Sequence, residues 1–583
     1  MRAFGWLATG LSGIALLAGC LSGDGGDETG SAVPVEDYGP GFHPAAFDAH
    51  GFPVPVPLCL APLAEGEGDG ASGGPDGRRC DFELTPDEGR QGNEVTMAVN
   101  PTDPKNVVGG AKDYYPTDAG ECVWDAVYVT HDGFATVTED RSFDGSPWRL
   151  LNDPGSFTPN YASQFWCTTD PVAYFDVHGR FYYVLMAYQA DPVTGGKTCE
   201  GVCPPLPNTR GGALNDWAYN RATQIVAISD DGGDTFHTFT PVLEGVYPVA
   251  FHDKAWLAAS SDGTIHILWT AATAALVPLN IYCRSTDEGQ RFLCDRILSA
   301  DPTDVGGPNG GLGSFLEVGT GPEVYALWDS AGRIAFRRSM DTGATWEPGA
   351  IVLTRNIAVM PGLSVDGFSR DERQGDASLA TDRNPDSPFA DAVYAVFDDS
   401  CQEPEWSQGC RSGGSATWVT ASFDKGETWQ APVKVSGPSE DWDWTVFPTI
   451  AVSPGGVVDV SWMSTVGTGN TTDEENGEYE KLTQMYVYSL DGGRTWSEPF
   501  EIRDAADGGW DPGFCHHQNG MVFIGDYNDI GSSWQAAHPG WPDTRHAVCD
   551  VYTATVRRPM FAEGWDDAKR AAAEAFILAH PLV

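Results

Sequence analysis

Positive charge is scarce in this 583-residue chain: 34 Lys and Arg stand against 82 Asp and Glu, a formal net charge of −48. Phosphate backbones are neutralised by clustered basic side chains, so the balance excludes nucleic acid as a partner. The same shortage argues against docking on anionic headgroups. Long apolar runs are missing too. Past the N-terminus no segment approaches the roughly 18 uninterrupted apolar residues of a spanning helix. No Cys-x-x-Cys pair occurs, and the 12 His are scattered apart from His516-His517, so no zinc site is expected. The acidic excess itself reads as a solvated surface.

What is present begins with an export signal. Arg2 is the only early charge, an apolar stretch runs to Leu17, and Leu17-Ala18-Gly19-Cys20 has the form of a lipobox. Residues 1–20 are therefore expected to be a lipoprotein signal, with Cys20 lipidated and the chain held at the cell surface. Membrane contact would come through that lipid alone. Residues 21–31 form a Gly- and acid-rich tether with nothing to bury. The 13 Cys less Cys20 leave an even number in an exported chain, which predicts disulfides. Cys283 and Cys294 flank a hairpin; Cys401–Cys410 and Cys199–Cys203 would each close one loop. Cys59–Cys80, Cys122–Cys167 and Cys515–Cys549 are further pairings.

A short phrase recurs along the chain. Its clearest copies are Ser489-Leu490-Asp491-Gly492-Gly493-Arg494-Thr495-Trp496, Ser422 to Trp429 and Ser339 to Trp346. Weaker ones run from Ser229 to Phe236, Ser285 to Phe292 and Thr130 to Val137. Each follows an alternating apolar run such as Met485-Tyr486-Val487-Tyr488, which places it at a hairpin turn. There the Asp accepts from the turn's own backbone, Gly supplies a positive φ, and the aromatic packs back on the sheet. Asp132, Asp231, Asp287, Asp341, Asp424 and Asp491 are accordingly read as structural.

This phrase is the Asp-box, and in its regular recurrence the chain resembles the sialidase-like β-propellers. The resemblance implies an all-β propeller over residues 91–557. Inner strands are expected at Glu94, Asp170, Asp253, Ser314, Asp376, Phe447 and Phe523, which favours seven blades over six. The seventh unit lacks an Asp-box and an outer strand. A ring must close to protect its edges, so Cys80 to Leu84 is expected to supply that strand. Residues 32–90 otherwise read as a Pro- and Gly-rich wrap. Residues 558–583 read as a helical tail, with Trp565 to Ala579 packing Phe576, Ile577 and Leu578 on the propeller.

Aligned by their inner strands, the units place Glu94, Asp170, Asp253, Asp376 and Asp526 at one starting position around a central channel. Second strands end nearby at Asp113 and Tyr114. These residues, Asp526 apart, are the expected ligand-binding set. A ring of carboxylates can hold a hard cation, orient sugar hydroxyls, or divide into acid and base. Gly525-Asp526-Tyr527 followed by Trp541-Pro542-Asp543-Thr544-Arg545 resembles the closing signature of exported sialidase-like repeat proteins. It makes Asp526, Tyr527, Asp543 and Arg545 the catalytic candidates.

Enzymatic members of the resembled family carry Arg-Ile-Pro ahead of the first Asp-box. None exists here: Arg296-Ile297-Leu298 and Arg333-Ile334-Ala335 lack the Pro, and Arg78, Arg79 and Arg90 lie outside such a motif. Hydrolysis of sialic acid is therefore not implied. The expected function is recognition of an extracellular glycan or surface protein by a monomer, with a glycoside hydrolase of non-standard catalytic set as the alternative. No cofactor is required. Calcium is admitted by the carboxylate ring and by the acidic loop Asn470 to Glu480.

Overall fold

The computed structural model describes residues 47–57, 81–84, 91–114, 124–134, 167–188, 222–242, 249–273, 278–300, 313–329, 334–348, 351–352, 377–400, 415–436, 445–466, 481–503, 508–518 and 521–580. Seven antiparallel sheets make a propeller. Blade 1 shows Gly92–Val99, Val107–Asp113 and Trp124–Thr130. Blades 2 to 6 have inner strands Cys167–Phe175, Val249–Ala259, Phe315–Val318, Ala377–Thr381 and Thr445–Val452, each followed by three partners in chain order.

The strands are apolar on both faces because both faces are covered. Phe181-Tyr182-Tyr183-Val184-Leu185-Met186-Ala187 of blade 2 is buried throughout. Tyr182 and Val184 pack in one core cluster, while Phe181, Tyr183 and Leu185 pack in another.

Blade 7 closes the ring with a strand from the other end of the chain. It runs Asp529–Ser532, Ala536–Asp543 and Asp550–Ala554, and Asp81–Glu83 adds as its outer strand in the register Asp81↔Ala554, Phe82↔Thr553, Glu83↔Tyr552. The inner strand begins at Asp529 rather than Phe523, a correction with a local cause. Gly525 has φ +100, and a Cβ there would lie 2.8 Å from the Glu94 backbone nitrogen. Extended pairing breaks where the chain crosses blade 1 this closely. Met521–Val522 pairs with His517–Gln518 instead.

A second N-terminal segment lies on the closed seam: Val56–Pro57 pairs with Val556–Arg557, and Phe52 packs edge-on to Tyr488 at 5.7 Å. At the other terminus, the helix Asp567–Ala579 starts at an Asp566 cap that accepts from Ala568 and Lys569. Ile577 is buried and Phe576 packs beside it, but Leu578 is 60 % exposed, against expectation. On a helix adjacent residues point about 100° apart, so the three cannot all face inward.

Six Asp-box aspartates hold their turns. Asp491 accepts from the backbone of Arg494 at 3.0 Å and of Thr495 at 2.8 Å, and from the Thr495 hydroxyl at 2.7 Å. Ser489 donates to Asp491 at 2.9 Å and accepts from Gly493 N at 2.9 Å. Asp231, Asp341 and Asp424 repeat this with Thr235, Thr345 and Thr428, and Asp287 with Arg291. Asp132 accepts from the Thr130 hydroxyl at 2.6 Å.

The Gly of the phrase also seats the preceding blade. A Cβ on Gly343 (φ +71) would lie 1.7 Å from the Tyr282 hydroxyl of blade 3, and one on Gly426 would meet Phe336 of blade 4 at 2.6 Å. Gly343→Ala combines a strained φ with a blade-to-blade clash, so a loss of about 2–4 kcal/mol is expected in urea unfolding.

The Cys283–Cys294 and Cys515–Cys549 disulfides are both present. Cys20, Cys199, Cys203, Cys401, Cys410, Cys59, Cys80 and Cys122 lie outside the described residues.

Candidate functional site

Where the inner strands begin, four of them slip register at the same place. The shifts fall between Asn93 and Thr96, Thr169 and Val172, Asp253 and Ala255, and Val446 and Thr449. Inside each slip sits one non-glycine residue with positive φ: Glu94 (54°), Asp170 (60°), Lys254 (38°) and Phe447 (53°). Bulges re-aim side chains, and backbone strain of this kind gathers at functional positions. The structural equivalents are thus Glu94, Asp170, Lys254 and Phe447. Asp253 stands one residue early, a shift that strand alternation could not reveal because a bulge resets it.

The bulges gather a charged cluster. Lys112 Nζ lies 3.3 Å from Glu94 Oε2, and Lys254 Nζ lies 3.6 Å from Asp526 Oδ2 and 3.4 Å from the Asp526 carbonyl. Asp170 accepts from Thr169 Oγ1 at 2.8 Å and from the Lys254 backbone N–H at 3.1 Å. Burial pushes the Glu94 carboxyl up to about 8, and the charges of Asp170 and Asp526 add to this against the pull of Lys112 and Lys254. Burial raises Asp253 well above the carboxylate range, helped by Asp170, with which it shares a hydrogen bond. Two carboxyls can share a hydrogen bond only if one keeps its proton. Asp125, opposite Lys112, is likewise raised by burial and by Asp170 and Glu94.

Beside this cluster a small cavity opens on the axis, lined by residues of blades 3 to 7. Trp256 and Phe315 form one wall with ring centroids 4.5 Å apart, and Tyr527 stands edge-on to Trp256 at 6.2 Å. Tyr527 donates its hydroxyl to the Pro171 carbonyl at 2.9 Å, and burial raises its pKa. Asp526, Lys254, Ser314 and Asn528 supply polar lining. Asn528 is 3 % exposed, and neither Oδ1 nor Nδ2 has a hydrogen-bond partner. A buried carboxamide left with both a donor and an acceptor unmet is costly unless something else meets them. Sequence reading passed over this residue, although it directly follows Gly525-Asp526-Tyr527. At the opposite ends of the inner strands, Arg383 of blade 5 reaches across to the Tyr174 hydroxyl and the Phe175 carbonyl of blade 2.

Of the expected ligand-binding residues, the structure brings Glu94, Asp170 and Asp253 together with Asp526. Asp113 and Tyr114 end the second strand of blade 1, where Tyr114 stacks on His516 at 4.0 Å. Asp376 lies outside the described residues. The catalytic quartet is divided. Asp543 and Arg545 do not line the cavity but form a buried ion network in blade 7. Asp543 accepts from Arg503 Nε at 2.6 Å and Arg545 Nη2 at 2.7 Å, while Arg545 grips both oxygens of Asp81 at 3.0 and 2.6 Å. Asp526 meets Lys254 instead. Among the described residues no group of three or more His, Cys, Asp or Glu side chains is placed to hold a metal ion.

No protein-family model matches the chain, and no curated protein matches it. Among solved structures it is similar to a Hadza microbial sialidase at 14% identity, covering 64% of this chain and 63% of that one, with a TM-score of 0.39. A protein of unknown function from Dyadobacter fermentans gives 12% identity, 70% and 97% coverage, and a TM-score of 0.41. Trypanosoma rangeli sialidase gives 13% identity, 71% and 55% coverage, and a TM-score of 0.34. The chain thus spans less than two thirds of either sialidase. Function has to be argued from the site itself.

Proposed function

We propose that this propeller recognises an extracellular glycan, taking its hydroxyl-rich end in the axial cavity. The observation that carries the reading is the unmet amide of Asn528. A carboxamide offers a donor beside an acceptor, the pair that adjacent sugar hydroxyls complement. Trp256 and Phe315 add the apolar surface on which a sugar's C–H face packs. Binding is favoured over hydrolysis because Asp526 is the only carboxylate among the described lining residues, and it already faces Lys254. A glycosidase needs two carboxyls flanking the bond. The two disulfides support an oxidising compartment. With the lipobox, they make a lipid-anchored surface protein, held by Cys20, the setting we propose. The reading requires no cofactor; calcium stays an admitted addition, which melts with and without chelator would reveal.

A glycan array, followed by a hydrolysis screen on its hits, tests this. Asn528→Leu is the informative variant. Removing a buried, unpartnered amide should leave the melting temperature unchanged or raised, while affinity for the hits falls by about tenfold or more. Undiminished binding by Asn528→Leu would remove the cavity from the account, and turnover of a hit would replace recognition with hydrolysis.

A further inference from the structure

The aromatic wall of the cavity and its unmet amide stand on opposite sides of the axis. Inner strands touch in ring order, so blade 7 lies three places from blade 3 one way round and three places from blade 4 the other. Asn528 of blade 7 therefore stands across the channel from Trp256 of blade 3 and Phe315 of blade 4, all three lining one cavity. Tyr527 closes a flank by reaching over to the Pro171 carbonyl of blade 2, which engages its hydroxyl. Ser314 Oγ is engaged as well, accepting from Asn280 Nδ2 at 2.7 Å and lying 3.2 Å from Thr270 Oγ1. Among the described side chains lining the cavity, the buried atoms left without a partner are Oδ1 and Nδ2 of Asn528. A few placed polar groups opposite an apolar wall fix the orientation of what enters.

A sugar ring laid between them must be two-faced. In the gluco configuration every ring hydroxyl is equatorial, so the hydroxyls lie round the rim and both faces are C–H. Such a ring, packed on Trp256 and Phe315, turns C–H toward Asn528 and leaves the amide unmet, which is costly in a buried place. An axial hydroxyl changes this. It stands on one face beside an equatorial neighbour, while the opposite face stays C–H. The pair can then meet Oδ1 and Nδ2 together, in either orientation of the amide, because a hydroxyl both donates and accepts. Resting on the glycan reading above, we infer that the ligand ends in a pyranose with a cis vicinal diol, one hydroxyl axial, as in the galacto and manno configurations. Its C–H face packs on Trp256 and Phe315, and its diol meets the Asn528 carboxamide.

Calorimetric titration and saturation-transfer NMR of the full chain test this with cellobiose and with the galactobiose and mannobiose that share its linkage and differ only in ring configuration. Galactobiose or mannobiose should bind tighter than cellobiose by about tenfold or more, the cost of a buried amide left unmet. Saturation should be strongest on the C–H protons of the face opposite the axial hydroxyl. In Asn528→Leu the three should bind within about twofold of one another, since the group that tells them apart is gone. The wild-type series needs no variant, so a misfolded substitution cannot shelter the inference. Cellobiose binding as tightly as its epimers would overturn the cis-diol assignment and leave the glycan reading standing. A preference that survives in Asn528→Leu would overturn the assignment too. Should none of the three bind, the glycan array decides: hits that end in anything but a cis-diol pyranose overturn the assignment alone, and an array without hits overturns both readings.

Discussion

Asp543→Ala lowers unfolding free energy by about 3–5 kcal/mol in urea melts, while each molecule that stays folded binds as before. The side chains of Asp543 and Arg503 are both fully buried, and Asp81 is too. Asp543 accepts from both arginines, and Arg545 in turn clamps Asp81, the first residue of the strand that closes the ring. Removing the central carboxylate takes from the buried Arg503 guanidinium its ion pair with Asp543, and loosens Arg545 from its seat over the Tyr552 ring at 4.0 Å. Truncating one partner of a buried pair costs more than the pair contributed, because the survivor keeps its desolvation penalty. Asp543→Ala combined with Arg503→Met should accordingly recover part of the loss. A loss below about 1 kcal/mol with binding abolished would make Asp543 a site residue after all.

The second large effect is a decline of stability as pH rises through neutrality. Glu94 and Asp550 are raised to about 8 by burial, and Asp529, Asp382 and Glu317 to about 7 by the same cause. Unfolded, these carboxyls lose their protons near 4; folded, they keep them to higher pH. The native state therefore binds more protons, and stability falls with pH until the folded values are passed. Buried His252, His266 and His538 act oppositely: held neutral down to about 4, 3 and 3, they withdraw stability as pH drops below 6.5. Asp231, Asp287, Asp341 and Asp424 of the Asp-boxes join them at the acid end, Asp424 being held near 2 by turn hydrogen bonds that outweigh its desolvation. Melting temperature should thus peak on the acid side of neutrality and fall between pH 6.5 and 8. Glu94→Gln, which needs no proton, should flatten that fall and stabilise most at the alkaline end. A melting temperature that rises steadily to pH 8 would contradict the assigned protonation of this interior.

The fold was legible because its signals are local and repeated. Asp491 with Gly493 and Thr495 writes a turn within seven residues, and five variants of it fix the blade period. Even the closing strand could be placed, since a unit without an outer edge demands one and Asp81-Phe82-Glu83 alternates suitably. The site was less legible. Its register depends on bulges at Glu94, Asp170 and Lys254, and a bulge carries no periodic mark. That is why Asp253 was aligned where Lys254 stands. Asp543 and Arg545 looked like chemistry because their segment, with Gly525-Asp526-Tyr527 before it, resembles a closing signature that puts a Tyr, two carboxylates and an Arg on adjacent strands. Their other partners, Arg503 and Asp81, lie 40 and 464 residues away. Asn528 could not be singled out at all, since its significance is an unmet hydrogen-bonding demand that exists only once the chain is folded.

The central claim is that the axial cavity, not the blade rims or the Asp-box face, is where this protein meets its ligand. A crystal structure of the full chain with the strongest glycan-array hit tests it most directly. The account predicts a sugar ring against Trp256 and Phe315, with hydroxyls in hydrogen-bond reach of both amide atoms of Asn528. A sugar seated elsewhere, with the Asn528 amide still unmet, would contradict it.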